Sequence, residues 1–296
     1  MASLFDQAAL RRQRNLSAEP YSARTDLPLI VERELAERLD VLTLDSESLL
    51  VLGAVHADIL KQLCERFVRA DVSIVDISGD RLDLLEKQAC KKYADRVRFV
   101  RSPGWSVPVE QPPADLVFSN LYLPLCDDLG TLFSQLHRVM TPDGCLHFSS
   151  LGPDSFLELR NAWKQVDPGN VFHTLEPPDM HDVGDALMHA GFREPVMDRD
   201  NYTLTYSSVK ALMTDLRNHG VCNGFAERSR GLTGQEIWAK FVGELSADQR
   251  DGRFSLTLEV VTGQAWRGDG MPQQRRADGG IGISLDELAS GLRRGR

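Results

Sequence analysis

The chain has 296 residues, 42% of them hydrophobic and 26% charged, with a formal net charge of -9. That length buries a real core, either as one large domain or as a domain of about 150 residues with an elaborate second part. The acidic balance argues against nucleic-acid binding, which needs a basic footprint, and no apolar run approaches the roughly 18 residues of a membrane span.

Residues 1–7 have no apolar h-region followed by a small-residue cleavage site, so a cytoplasmic location is expected. The five cysteines are scattered and never form a C-x-x-C pair, which argues against disulfides and structural zinc; no metal site is expected. Residues up to Tyr21 are polar and poorly patterned. Within them Arg11, Arg12 and Arg14 form a basic cluster that either stays solvated or docks an acidic partner. Leu27, Leu29, Ile30, Leu35 and Leu39 recur at helical spacing and predict a helix over 24–40.

Ser48 to Leu52 reads as a first strand and Ile59, Leu60, Leu63 and Phe67 as the apolar face of a first helix. Val72 to Asp76 is the next strand, 82–93 a second helix and Val97 to Val100 a third strand. After a Pro/Gly-rich connection over 102–113 come a fourth strand over 114–120, a helix over 129–140 and a turn at Thr141-Pro142-Asp143-Gly144. Cys145 to Ser149 is the fifth strand. Helices follow over 155–164 and 179–190, then short alternating strands over 196–198 and 202–206. A helix starts at Ser207 and stops at Gly220, and the last strand spans 254–261.

Strands alternating with helices in this way give right-handed βαβ units and a doubly wound, mostly parallel sheet in the α/β class. The expected organisation is a lead-in with lid helices over 1–47 and an α/β domain over 48–266 with a helical insertion around 207–250. The tail over 267–296 is rich in Gly, Asp, Gln and Arg and is expected to be disordered, apart from a possible short helix at 283–292.

A strand and turn at Gly53, a second strand ending in Asp76, then Asp115-Leu116-Val117-Phe118-Ser119-Asn120 and Arg138-Val139-Met140-Thr141-Pro142-Asp143-Gly144 resemble the class I S-adenosylmethionine-dependent methyltransferases, whose sheet is seven-stranded. Leu151 to Arg160, Asp179 to Leu187, Leu212 to Gly220 and Thr257 to Trp266 are similar to the malonyl-acyl-carrier-protein O-methyltransferases of biotin synthesis, the BioC family. The resemblance spans about residues 5 to 266.

The resemblance implies S-adenosylmethionine as cofactor, with Gly53 at the turn and Asp76 taking both ribose hydroxyls. It implies an acyl carrier protein or a small acyl thioester as partner, and a malonyl carboxylate as methyl acceptor. Tyr21 matches a lid tyrosine, Asn120 stands where the superfamily lines its active site, and Arg160 is placed to meet an acyl carboxylate in a bidentate way. The arginines 11, 12, 14, 217, 228 and 230 are candidates for a face that docks an acidic carrier.

The family's first motif runs acidic-x-Gly-x-Gly-x-Gly, and those positions here read Val51, Gly53, Val55 and Ala57, so two β-carbons are expected to crowd the cofactor. The segment Val100 to Trp105 carries no carboxylate for the adenine. Two readings therefore follow: an active methyltransferase anchored on Asp76, or a catalytically silent methyltransferase fold used as a binding or assembly partner.

Overall fold

Strands that are apolar on both faces must be covered on both sides, and that requirement sets the architecture. A computed structural model describes residues 3–268 apart from 24–25, 103–106, 108–111, 171, 222, 248 and 250. Three helices lead in: α1 (Gln7–Leu16), α2 (Ala18–Ser22) and α3 (Leu27–Arg38). Then follow β1 (Ser48–Leu52), α4 (Ala57–Arg66), β2 (Asp71–Asp76), α5 (Gly79–Gln88), β3 (Val97–Arg101), β4 (Ala114–Ser119), α6 (Leu129–Val139) and β5 (Met140–Leu151). The remainder comprises α7 (Leu157–Val166), α8 (Met180–His189), β6 (Arg193–Tyr206), α9 (Val209–Asn218), α10 (Gln235–Ala247) and β7 (Phe254–Trp266).

The strands form one seven-stranded sheet in the order β3-β2-β1-β4-β5-β7-β6. Its first five strands are parallel, and β7 runs antiparallel to both neighbours. This is the doubly wound, mostly parallel sheet that the alternation of elements predicts. Side chains alternate across it: Leu49 and Val51 pack with α3, α4 and α5, whereas Leu50 and Leu52 pack with α6 and α8. Each such buried aliphatic contributes about 1.5–3 kcal/mol, so β1 is pinned from both faces.

The chain winds outward from β1 to β3 and returns to β4 on the other side of β1. The carboxyl ends of β1 and β4 therefore open the crevice where doubly wound sheets bind ligands. β5 stops where Leu151 meets Val260, but β6 and β7 stay paired out to Tyr206 and Phe254. Their extension rises beside the crevice. It joins Leu27, Phe156, Leu212 and Phe241 in an apolar cluster that braces α3, α7, α9 and α10.

The polar lead-in is helical, and two strand expectations are corrected. Asp6 caps α1 by accepting from the Ala9 N–H, and the residues of α1 are good helix formers. Its buried face is only Leu10 and Arg14, too narrow and too polar for apolar periodicity to reveal. The turn at 141–144 lies inside β5, where a register irregularity against β4 absorbs it. The strands at 196–198 and 202–206 are one strand, β6, continuously paired with β7 from Val196 onward. The tail beyond Gly268, the helix expected at 283–292 and the Pro103–Trp105 segment lie outside the described residues. Among the described residues no helix is long and apolar enough to cross a membrane.

Candidate functional site

The turn after β1 is tight because Gly53 adopts φ +90°, a left-handed conformation that a β-carbon disfavours. Its N–H donates to the Val75 carbonyl at 2.8 Å, which ties the turn to β2. A β-carbon at Gly53 would also fall 2.8 Å from Tyr122 Cδ2, so the Tyr122 ring covers the turn. Val51 and Val55 are core residues packed with Leu35, Ile59 and Ile74, and Ala57 packs against the same cluster. The expectation that their β-carbons crowd the cofactor is thus corrected, because they face the core. What presses on this turn is Tyr122.

Asp76, at the carboxyl end of β2, is wholly buried. Oδ2 accepts from the Ala54 N–H at 2.7 Å and Oδ1 from the Ser78 N–H at 2.7 Å. Arg14 completes the shell, its Nε donating to Oδ1 at 3.2 Å and its Nη2 to Oδ2 at 2.7 Å. Burial alone would raise the carboxyl's pKa, but the charge and hydrogen bonds of Arg14 outweigh it and hold Asp76 below its ordinary value. The Arg14 guanidinium lies over the Tyr122 ring, 5.1 Å from its centroid, and the Tyr122 hydroxyl accepts from the Ile77 N–H at 3.3 Å. Burial, then the charge of Asp76, pushes the Tyr122 phenol's pKa well up, so it stays neutral.

A second buried carboxylate, Glu32 of α3, organises the other side of the turn. Its Oε2 accepts from the His56 N–H at 3.0 Å and pairs with His56 Nδ1 at 2.7 Å. His56 Nε2 faces the Tyr21 carbonyl at 3.1 Å, and the two rings stack 4.7 Å apart. The Arg81 guanidinium also lies over the Tyr21 ring, 4.0 Å from its centroid. Burial raises the Tyr21 phenol's pKa, keeping it protonated. Asn120, just past β4, accepts from Ser149 Oγ at 2.7 Å and donates to the Pro28 carbonyl at 3.1 Å and Glu32 Oε1 at 3.4 Å. Next to it, Leu121 sits at φ 48°, a strained value for leucine, held by hydrogen bonds from its N–H to Ser149.

Of these groups, Arg14, Tyr21, Arg81 and Asn120 open onto a cavity of about 780 Å³, ample for a small-molecule ligand. Tyr21, Ala54 and Asn120 line its floor, while Phe156, Trp238 and Leu258 line its apolar walls. Arg14 also lines the cavity, whereas Asp76 lies behind it. On one wall Asp26, Asp215 and His219 converge, with His219 Nε2 3.3 Å from Asp26 and 3.7 Å from Asp215.

Four of the sequence-predicted site residues therefore gather at the crevice: Tyr21, Gly53, Asp76 and Asn120. Arg160 does not point into it. Its guanidinium donates to the carbonyls of Ser155 and Leu175, each at 3.1 Å, and to the Pro153 carbonyl. The expected bidentate contact with an acyl carboxylate is corrected to a backbone clamp that shapes the wall after β5. Glu32 and Tyr122 were missed from the sequence, and Arg14 was read only as part of a basic cluster that stays solvated or docks an acidic partner. Only Tyr122 carried a signal, an aromatic two positions beyond the end-of-strand Asn120.

The groups at the crevice fit an adenosyl cofactor in kind: a carboxylate at the end of β2 for vicinal hydroxyls and a glycine turn at the end of β1 for close approach. Residues 49–144 match the family model described as a methyltransferase domain. A malonyl-[acyl-carrier protein] O-methyltransferase of Gallionella capsiferriformans is 37% identical over 89% of this chain and 92% of its own length. One of Halorhodospira halophila is 35% identical over 100% and 98%. Relatives that carry an enzyme's name along their whole length give no support to the reading of a silent scaffold. Among solved structures, the YcgJ protein of Bacillus subtilis superposes with TM-score 0.56 at 13% identity, covering 80% of this chain and 99% of its own. The [4+2]-cyclase SpnF superposes with TM-score 0.57 at 14% identity, covering 91% and 98%. At such low identity these two speak for the fold alone. With the doubly wound crevice and near full-length relatives above 30% identity together, the chain belongs to the malonyl-[acyl-carrier protein] O-methyltransferase family, within the S-adenosylmethionine-dependent methyltransferases.

Proposed function

We propose that this protein transfers the methyl group of S-adenosylmethionine to the free carboxylate of a malonyl thioester, carried by an acyl carrier protein or a small acyl thioester, as in biotin synthesis. The observation that supports this best is Asp76, a fully buried carboxylate at the end of β2, beside the Gly53 turn, in a chain with methyltransferase relatives over nearly its whole length. Its charge is held by Arg14 and by the Ala54 and Ser78 N–H groups, and ribose hydroxyls are donors of the kind that replace Arg14 there. When bound, the cofactor supplies an electrophilic methyl group on its sulfonium.

The protein's task is to hold and to exclude. The acceptor carboxylate is already ionised at neutral pH, so no general base is needed, and rate comes from in-line positioning in a dry site. Asp76 and the Gly53 turn hold the cofactor. Asn120, its amide fixed by Ser149, Pro28 and Glu32, and Tyr21, packed with His56 and Arg81, present a rigid polar floor to the acceptor. Phe156, Trp238 and Leu258 give the cavity apolar walls.

Carrier docking falls to the cavity rim. Arg217 and Arg228 line the cavity, and Arg228 and Arg230 share Asp6 at the start of α1. Arg14 is not part of such a face, since it is buried against Asp76. Expression in a bacterium that requires biotin because it lacks its malonyl-carrier methyltransferase tests the reading. The wild-type protein restores growth without biotin and Asp76→Ala does not; failure of the soluble wild-type protein to restore growth contradicts it.

A further inference from the structure

In this structure Arg14 stands between the cavity and Asp76. It lines the cavity, is 8% exposed, and holds both carboxylate oxygens of a residue that is 0% exposed. No ligand hydroxyl reaches Asp76 while Arg14 stays. Once moved, the guanidinium cannot be left without an acceptor, because a buried charge stripped of its partner is strongly destabilising. Arg81, 4% exposed and hydrogen-bonded to the Arg14 carbonyl, adds a like charge to the same pocket. The charge of Arg14 itself ranks second only to burial among the effects that depress the Arg81 pKa. The cavity's own acids, Asp26 and Asp215, are both ion-paired with His219. Arg14 pairs with Asp76 and Arg81 adds a second positive charge beside it, at the edge of a cavity proposed to receive carboxylate-bearing ligands.

We propose that Arg14 is a carboxylate relay: it seals Asp76 until ribose hydroxyls take that carboxylate, and then passes to a ligand carboxylate. The arrival of one ligand group then frees the clamp that orients the next. This rests on the proposed cofactor and acceptor. The carboxylate has two sources, the amino-acid end of the cofactor and the malonyl group.

Calorimetry with 5′-methylthioadenosine, which keeps the ribose but has no carboxylate, isolates the sealing step. Arg14→Ala removes the seal, and methylthioadenosine should bind about tenfold or more tightly than to the wild type, because the free protein no longer loses a buried pair on binding. Arg14→Lys keeps a charge for folding but cannot make the bidentate pair, so it should shift the same way and carries the test if Arg14→Ala does not fold. Titration of S-adenosylhomocysteine separates the sources. If the cofactor's carboxylate receives Arg14, the variants gain less for S-adenosylhomocysteine than for methylthioadenosine. If malonyl receives it, both nucleosides gain equally and the KM for the malonyl thioester rises. Unchanged or weaker methylthioadenosine binding in the folded variants overturns the relay, whatever happens to S-adenosylhomocysteine. Failure of wild type and variants alike to bind S-adenosylhomocysteine overturns the cofactor reading itself.

Discussion

Removing the Glu32 carboxylate should unfasten the lead-in helices from the crevice. Glu32 is 0% exposed and takes the His56 N–H at 3.0 Å, His56 Nδ1 at 2.7 Å and the Asn120 amide at 3.4 Å. Glu32→Ala leaves these three groups without that acceptor and opens a void. Breaking a buried pair from one side costs about 3–5 kcal/mol, and a domain of this size loses roughly 2–4 °C of Tm per kcal/mol. The expected drop is therefore about 6–20 °C in a calorimetric or near-ultraviolet dichroism melt. Glu32→Gln keeps two acceptor lone pairs but not the charge, and should lose about half as much. Since His56 supports the Tyr21 ring, both variants should also raise the acceptor KM. A Glu32→Ala melt within about 2 °C of wild type would mean that the carboxylate is already solvated, and would refute this account of the crevice floor.

Gly53→Ala should destabilise the fold by about 1–2 kcal/mol through its left-handed φ alone, and it must also displace the Tyr122 ring, 2.8 Å from the new methyl. Denaturant titration of Gly53→Ala, Tyr122→Ala and the double variant beside wild type reads the ring contact as a coupling energy; a coupling of zero removes it. His147 gives a pH dependence. It is 3% exposed, its Nε2 lies 2.8 Å from the Leu35 carbonyl, and burial brings its pKa down to about 4 from 6.5. Because the folded value is the lower one, its contribution is complete above pH 6.5 and is lost as the pH falls toward 4, on the order of 3 kcal/mol in all. Wild type and His147→Phe should converge in relative stability over that window, and parallel profiles contradict the burial argument.

The sheet was legible because buried parallel strands write themselves as apolar runs ended by glycine or acid, as in Leu49 to Gly53 and Val72 to Asp76. So was the place of the site, since strand order puts a doubly wound crevice at the ends of β1 and β4. Its furnishing was not. Arg14 and Asp76 are 62 residues apart and Glu32 and His56 are 24 apart, and a pairing between distant polar residues leaves no periodicity. α1 hides for the same reason, its inward face being one leucine and one arginine. Val55 and Ala57 misled because a motif gives identity without direction; both pack on the core. Arg160 misled likewise, since nothing local tells a ligand-binding arginine from one that binds carbonyls.

The most direct measurement is transfer of isotopically labelled methyl from S-adenosylmethionine to malonyl-carrier protein by the purified protein, read as methyl ester on the carrier. The wild type should form the ester, and Asp76→Ala, having lost a pair of charged hydrogen bonds to ribose, should be slower by roughly tenfold or more at subsaturating cofactor. No ester from the folded wild type at saturating substrates, or an undiminished rate in Asp76→Ala, would contradict the account.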